Sequence, residues 1–99
     1  MVQTARDLAN WLGYLKLDEL DFLQTLVKTL PEHRNITIVN IGAGAGTSGL
    51  AIAEARPDAS RFTVDISEGG PLGGLSSERN AFRNAERENL IPTQILGSS

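Results

Sequence analysis

The chain has 99 residues, a net charge of −3 and no cysteine. This length allows one domain, and the absence of cysteine excludes disulfides, thiolate metal sites and a cysteine nucleophile. The sequence contains no basic cluster, no apolar run long enough to span a bilayer and no secretory signal pattern. We therefore expect a soluble, cytoplasmic protein that binds neither nucleic acid nor membrane.

Two helices are predicted in the first part of the chain, residues 1–31. Apolar residues recur at helical spacing from residue 4 to residue 12. A second stripe runs from Leu20 to Leu30 and ends before Pro31. A polar link then carries His33, the only histidine, which we expect to be an exposed loop residue without a catalytic role.

The rest of the chain, residues 36–99, predicts the order β-α-β-α-β. Ile36 to Ile41 is mostly apolar, which is typical of a strand buried on both faces of a parallel sheet. The later elements are expected as a helix over about 47–56, a strand over about 61–66, a helix over about 77–89 and a strand over 93–96. Right-handed crossovers predict the strand order 3-2-1, which is half of a doubly wound sheet.

A glycine-rich turn joins the first strand to the helix that follows it. Glycine accepts positive φ and lets a ligand approach the backbone, while the N–H groups at a helix start favour an anionic group. Asp65 closes the second strand, where a carboxylate can accept hydrogen bonds from a ribose diol. The pattern predicts a site for a nucleotide-like ligand.

Two registers of the glycines predict different ligands. Counting from Gly42 gives G-x-G-x-G directly after the strand, whereas counting from Gly44 gives G-x-G-x-x-G, the dinucleotide pattern. The second register requires the strand to continue past Ile41 through residues of low β-propensity, so the first is favoured. The registers also differ at Gly49, where the dinucleotide register requires glycine and the other is expected to tolerate alanine.

The sequence from Val39 to Pro57, with Phe62 to Ser67, resembles motif I and the acidic strand end of class I S-adenosylmethionine-dependent methyltransferases, in particular the small catechol-O-methyltransferase-like branch. The resemblance covers the N-terminal, cofactor-binding half of that family's fold. It implies a partial Rossmann-like, three-layer α/β sandwich, S-adenosylmethionine as cofactor and a small molecule as methyl acceptor. The cofactor-binding residues that it implies are Asn40, Gly42, Ala43, Gly44, Gly46, Thr47, Ser48, Asp65, Ile66, Gly97 and Ser98.

The resemblance also implies a role for each of these residues. The glycines would wrap the methionine moiety, Thr47 and Ser48 would lie near its carboxylate, Asp65 would hold the ribose, Ile66 would lie against the adenine, and Gly97 and Ser98 would border the adenine edge. Two residues depart from the family pattern. Asn40 replaces an acid near the ligand's ammonium group, and Ser98 replaces an aspartate near the adenine. Each departure predicts weaker binding.

In that family a fourth strand lies beside the first and carries substrate or catalytic residues, and no segment of this chain matches it. The sequence therefore leaves the catalytic residues unknown, and we predict no metal ligand and expect the chain to be inactive alone. The open edge of strand 36–41 predicts self-association, or completion by a missing C-terminal half.

Two alternative functions remain, an NAD(P)- or flavin-dependent oxidoreductase fragment and a catalytically silent binding module. The loop 69–74 is either a lid or a connector.

Overall fold

A computed structural model describes residues 3–13, 15–32, 35–70 and 73–97, so that His33, Ser98 and the middle of the loop 69–74 lie outside the described residues. The elements, in chain order, are α1 (Ala5–Leu12), α2 (Leu17–Lys28), β1 (Thr37–Ile41), α3 (Thr47–Ala55), β2 (Ser60–Asp65), α4 (Leu75–Asn84), a short 3₁₀ helix (Glu88–Leu90) and β3 (Thr93–Leu96). Among these ranges, no helix combines the length and the apolar character needed to cross a membrane.

The three strands form one parallel sheet in the order β1-β2-β3. This is the predicted order 3-2-1 read from the other edge, and it follows from two crossovers through α3 and α4. Asn40 of β1 lies opposite Thr63 of β2, which lies opposite Gln94 of β3. Strand β1 pairs with β2 only, so within the described chain it forms an edge of the sheet.

Helix α1 begins and ends at residues with clear local signals. The Thr4 hydroxyl oxygen accepts a hydrogen bond from the Asp7 N–H at 3.2 Å, and the Asp7 carboxylate accepts one from the Thr4 N–H at 3.0 Å. Gly13 adopts a φ of 74° and ends the helix. The first helical N–H, that of Ala5, donates to the Glu54 carboxylate at 2.9 Å, which attaches α1 to α3.

The core lies between the helices rather than within the sheet alone. Its largest members are Leu20 of α2, Leu50 of α3 and Phe82 of α4, which are almost completely buried. Alanines of α1 and α3 surround them, and these small side chains allow the helix axes to approach closely. Helix α3 is therefore the central helix, in contact with α1, α2 and α4.

A buried arginine fixes the end of α2 against the end of α3. The Arg56 guanidinium donates to the carbonyl oxygens of Val27 at 3.0 Å, Leu30 at 2.9 Å and Pro31 at 3.2 Å. Its charge is paired with Asp58 at 2.9 Å. A cation at the C-terminus of a helix satisfies carbonyl groups that lack intrahelical partners, so this contact holds α2 in place.

The expectation that strand 36–41 is buried on both faces is wrong for this structure. Alternate residues of β1 are exposed, with Val39 54% and Ile41 77% accessible. Asn40 and Thr63 point the other way, toward α3 and α4. Helices of the described chain cover one face of the sheet, and the apolar residues on the opposite face have no covering layer within the described ranges.

Candidate functional site

The glycine turn begins directly after β1 and bends sharply. Strand β1 ends at Ile41, so the strand boundary is the one that the first register requires. Gly42, Gly44 and Gly46 have φ values of 87°, 54° and 93°, which confirms the expected positive φ. Such values are strained for residues with a Cβ, so glycine is needed for the shape of the turn.

The glycines of the turn have two different surroundings. A Cβ at Gly42 or Gly44 would meet no atom within 4 Å, so this side of the turn is open. A Cβ at Gly46 would lie 2.8 Å from the Glu78 Cα and 2.9 Å from the Ala81 Cβ. The first two glycines therefore leave room for a ligand, whereas Gly46 lets the turn pack against α4.

Gly49 belongs to the packed side as well. A Cβ built there would lie 2.4 Å from Oε2 of Glu78 and 3.3 Å from its Cδ. Since Glu78 is fully buried, the carboxyl group has little room to move aside. Alanine at Gly49 therefore requires the Glu78 carboxyl group to shift, and its effect on ligand binding stays a prediction.

Asp65 holds the turn by hydrogen bonds to the backbone. Its Oδ2 accepts from the Ala43 N–H at 2.7 Å, and its Oδ1 accepts from the Ser67 N–H at 2.9 Å. These two bonds, the one from Ala43 first, hold the pKa of the Asp65 carboxyl below its usual range. A carboxylate oxygen can accept more than one hydrogen bond, so Asp65 keeps capacity to accept from a ligand hydroxyl.

The first turn of α3 has the features of an anion-binding helix start. Its N-cap residue is Gly46, which supplies no side-chain cap. Thr47 is only 5% exposed, and its hydroxyl oxygen has no hydrogen-bond partner among the described residues. A buried hydroxyl without a partner is costly, and here it lies beside helix N–H groups that also lack intrahelical acceptors. A carboxylate or phosphate would satisfy both.

Five of the predicted residues line one pocket of about 160 Å³. The lining consists of Gly42, Ala43, Gly44, Thr47 and Ser48, together with Leu15 and Ala45. Sequence reasoning missed Leu15 and Ala45. Ala45 lies between two predicted glycines and could have been included from its position, whereas Leu15 comes from the α1–α2 connection and carries no signal of this role.

The other predicted residues do not line this pocket, but Asn40 and Asp65 are hydrogen-bonded to residues that do. The Asn40 amide donates to the Ser48 hydroxyl oxygen at 3.1 Å, so it orients the start of α3. Gly97 is next to Asp65 through a 2.7 Å hydrogen bond from its N–H to the Asp65 carbonyl oxygen. The Ile66 side chain is 71% exposed, and Ser98 lies outside the described residues.

The C-terminal end of the loop 69–74 contacts the turn directly. The Gly74 N–H donates to the Gly44 carbonyl oxygen at 2.9 Å, and a Cβ on Gly73 would lie 2.2 Å from that oxygen. This end of the loop is therefore attached to the site, which favours a connector over a lid for the residues nearest α4.

In the described ranges no three His, Cys, Asp or Glu side chains are grouped closely enough to hold a metal ion.

The chain matches no known family model, and a search of curated proteins finds no significantly similar sequence. The geometry of the turn and the residues around it therefore carry the functional argument.

Proposed function

We propose that the chain is the S-adenosylmethionine-binding half of a methyltransferase that acts on a small molecule. In this proposal the two-layer α/β structure is part of a Rossmann-like three-layer sandwich, and the exposed face of the sheet receives the third layer. The protein acts in the cytoplasm on a small acceptor, without nucleic acid or membrane as a partner. The catalytic residues lie outside the set assigned to cofactor binding.

The observation that carries the proposal is the combination of an open glycine turn with the buried hydroxyl of Thr47. A ligand carboxylate placed before α3 would accept from this hydroxyl and from the first N–H groups of the helix. The open side of Gly42 and Gly44 leaves room for the chain that joins such a carboxylate to the rest of the ligand. S-adenosylmethionine has a carboxylate and a ribose diol, which match Thr47 and Asp65.

When bound, S-adenosylmethionine supplies an activated methyl group, and the residues of this chain bind and orient the cofactor. Asp65 holds the turn through Ala43 and accepts from the ribose hydroxyls. Asn40 keeps Ser48 oriented at the start of α3. Because Asn40 is uncharged, it stabilises the ligand's ammonium group less than a carboxylate would, and we expect modest affinity.

A dinucleotide such as NAD is the second candidate ligand, and one observation favours it. The third glycine of the dinucleotide pattern serves close packing of the helix on the strand, and a Cβ at Gly49 would lie 3.8 Å from the Asn40 amide nitrogen of β1 as well as 2.4 Å from Oε2 of Glu78. The end of β1 at Ile41 favours the first register instead. A direct comparison of the two ligands is therefore needed.

Calorimetric titration of the full chain with S-adenosylhomocysteine and with NAD tests the proposal. We expect S-adenosylhomocysteine to bind more tightly, and Thr47→Val to weaken it by about tenfold, since a hydrogen bond to a charged group contributes about 1.5 kcal/mol or more. The same substitution removes a buried hydroxyl without a partner, so the melting temperature should not fall.

Thr37→Val is the matched control, because Thr37 is exposed at the start of β1. It should leave the affinity unchanged. Tighter binding of NAD than of S-adenosylhomocysteine would favour the dinucleotide candidate, and full affinity of Thr47→Val would contradict the assigned carboxylate site.

A further inference from the structure

Glu78 is a fully buried carboxyl group that joins α4 to two strands. The Thr63 hydroxyl of β2 donates to its Oε2 at 3.0 Å, and the Gln94 amide of β3 donates to its Oε1 at 3.0 Å. Arg79 donates to the Oε1 of Gln94 at 2.6 Å and so turns the amide nitrogen toward Glu78. An exposed glutamate on the surface of a helix would make none of these contacts, so Glu78 belongs to the packing between α4 and the sheet.

The same residue lies directly behind the glycine turn. The backbone of Gly46 packs against the Cα of Glu78, and Gly49 packs against the carboxyl group of Glu78. A Cβ built at either position would lie too close to Glu78. The N-terminal end of α4 is also hydrogen-bonded to the turn, through the Gly74 N–H and the Gly44 carbonyl oxygen. A displacement of Glu78 must therefore be transmitted to the turn, because closely packed atoms have no free volume to absorb it.

The electrostatic surroundings of Glu78 make its ionisation costly. Burial raises the pKa of this carboxyl group, with Asp65 of β2 as a further raising influence, while the hydrogen bonds from Gln94 and Thr63 and the charge of Arg61 act in the opposite direction. The residues of β3, of the glycine turn and of the first turn of α3 carry no charge. Arg61 and Asp65 are thus the charged groups that the packed strands contribute.

We propose that Glu78 is the positioning residue of the glycine turn, and that the shape of the turn depends on whether this carboxyl group carries a proton. The ionised group accepts both hydrogen bonds, whereas in the neutral group Oε2 carries the proton and donates to the Thr63 hydroxyl oxygen instead of accepting from it. Titration therefore changes the contact between α4 and β2 at the carboxyl group on which Gly49 packs. Ligand affinity then falls as the pH rises through the titration of Glu78. That last consequence rests on the proposed function, whereas the effect on the turn does not.

The deciding experiment is a pH titration of the ¹⁵N-labelled full chain, followed through the backbone amide signals of Gly44, Gly46 and Gly49. We expect these signals to shift together with a midpoint above the usual glutamate range. Asp65 also contacts the turn, but its midpoint lies below its usual range, so the two steps separate. In Glu78→Gln, which keeps the size of the side chain and remains neutral, the upper step should disappear.

Affinity for S-adenosylhomocysteine is then measured one pH unit below and one above that midpoint. The unmodified chain should lose at least threefold in affinity across this range, and Glu78→Gln should lose none. Glu88→Gln, at an exposed position, is the control and should behave like the unmodified chain. His33 is present in all three proteins and cannot cause a difference between them.

Persistence of the upper step in Glu78→Gln, or its absence from the unmodified chain, would overturn the positioning role. If S-adenosylhomocysteine fails to bind any of the proteins, the proposed function fails while the amide titration still decides the role of Glu78. If it binds with the same affinity on both sides of an observed midpoint, the dependence of affinity on Glu78 is refuted.

Discussion

The glycine turn has a front and a back that differ in what they tolerate. The front consists of Gly42, Gly44 and Asp65, and the back of Gly46, Gly49 and Glu78. At the front, a Cβ on either glycine would meet no atom within 4 Å, and backbone N–H groups that donate to the Asp65 carboxylate lower its pKa. At the back, atoms are in close contact and the carboxyl group favours its neutral form because it is buried.

This difference indicates that the front of the turn serves ligand binding and the back serves packing. The front leaves space beside Gly42 and Gly44 for a ligand, and the back packs the turn against α4. A substitution at the front should therefore cost binding, and one at the back should cost stability. Four experiments test this division, from the largest expected effect to the smallest.

Alanine substitutions at Gly46 and Gly44 provide the strongest contrast. At Gly46 the added Cβ meets the backbone of α4, so we expect a loss of about 3 kcal/mol in unfolding free energy from positive φ and overpacking together. At Gly44 the space is open and only the backbone conformation opposes alanine, at a cost of about 1 kcal/mol. Urea unfolding of both variants measures the difference.

The same pair should show the reverse order in binding. Gly44→Ala places a methyl group on the ligand side of the turn and should abolish measurable binding of S-adenosylhomocysteine. Gly46→Ala, assayed at a temperature where it is folded, should keep more of the affinity. Equal losses of stability in the two variants would remove the distinction between front and back.

Asp65→Asn should give the second largest effect. It keeps the shape of the side chain but removes the charge that holds Ala43 and Ser67, so ligand affinity should fall by about tenfold. Because the folded-state pKa is lowered, the unmodified carboxylate stabilises the fold above about pH 4 and loses this contribution as the pH falls further. The variant should lack this acid-sensitive contribution. Thermal unfolding between about pH 2 and about pH 6, a range that brackets the usual aspartate pKa, measures the difference.

Glu78→Gln should produce a smaller change with the opposite pH dependence. The folded-state pKa of Glu78 is raised, so the unfolded chain releases this proton first and stability falls as the pH rises above about 4.3, until the folded-state pKa is passed. In the variant this decline should be absent. Denaturant unfolding from about pH 4 upward compares the two proteins, and parallel curves would contradict a titrating carboxyl group at the back of the turn.

A substitution on the far side of the sheet should affect neither the front nor the back. Val39 is half exposed on the face opposite α3 and α4, so Val39→Thr should change stability by less than about 0.5 kcal/mol and leave ligand affinity unchanged. It should lower the self-association predicted for strand 36–41, because it removes exposed apolar surface beside the open edge. Sedimentation velocity over a range of concentrations measures this.

Local sequence signals were sufficient for the order of elements and for the shape of the turn. The apolar run that ends at Ile41, the helical stripes and the glycine spacing each act over a few residues, and most helix and strand boundaries follow within two positions. The helix predicted over about 77–89 is the exception, because α4 ends at Asn84 and a separate 3₁₀ helix covers Glu88–Leu90. The parallel order of the strands also follows, because right-handed crossovers leave few alternatives. The hydrogen bond from the Ala43 N–H places Asp65 beside the turn, and its role toward a ribose stays a prediction.

What only the tertiary structure decided concerns pairs of residues far apart in the chain. In the sequence, Glu78 resembles any charged residue of an amphipathic helix, and its burial depends on Thr63 and Gln94 from two different strands. The close approach of Gly49 to the same carboxyl group also depends on this packing. The exposure of Val39 was also unpredictable, because an apolar strand has the same sequence whether one or two layers cover it. Periodicity specifies which side of an element is apolar, and only packing determines which atoms meet that side.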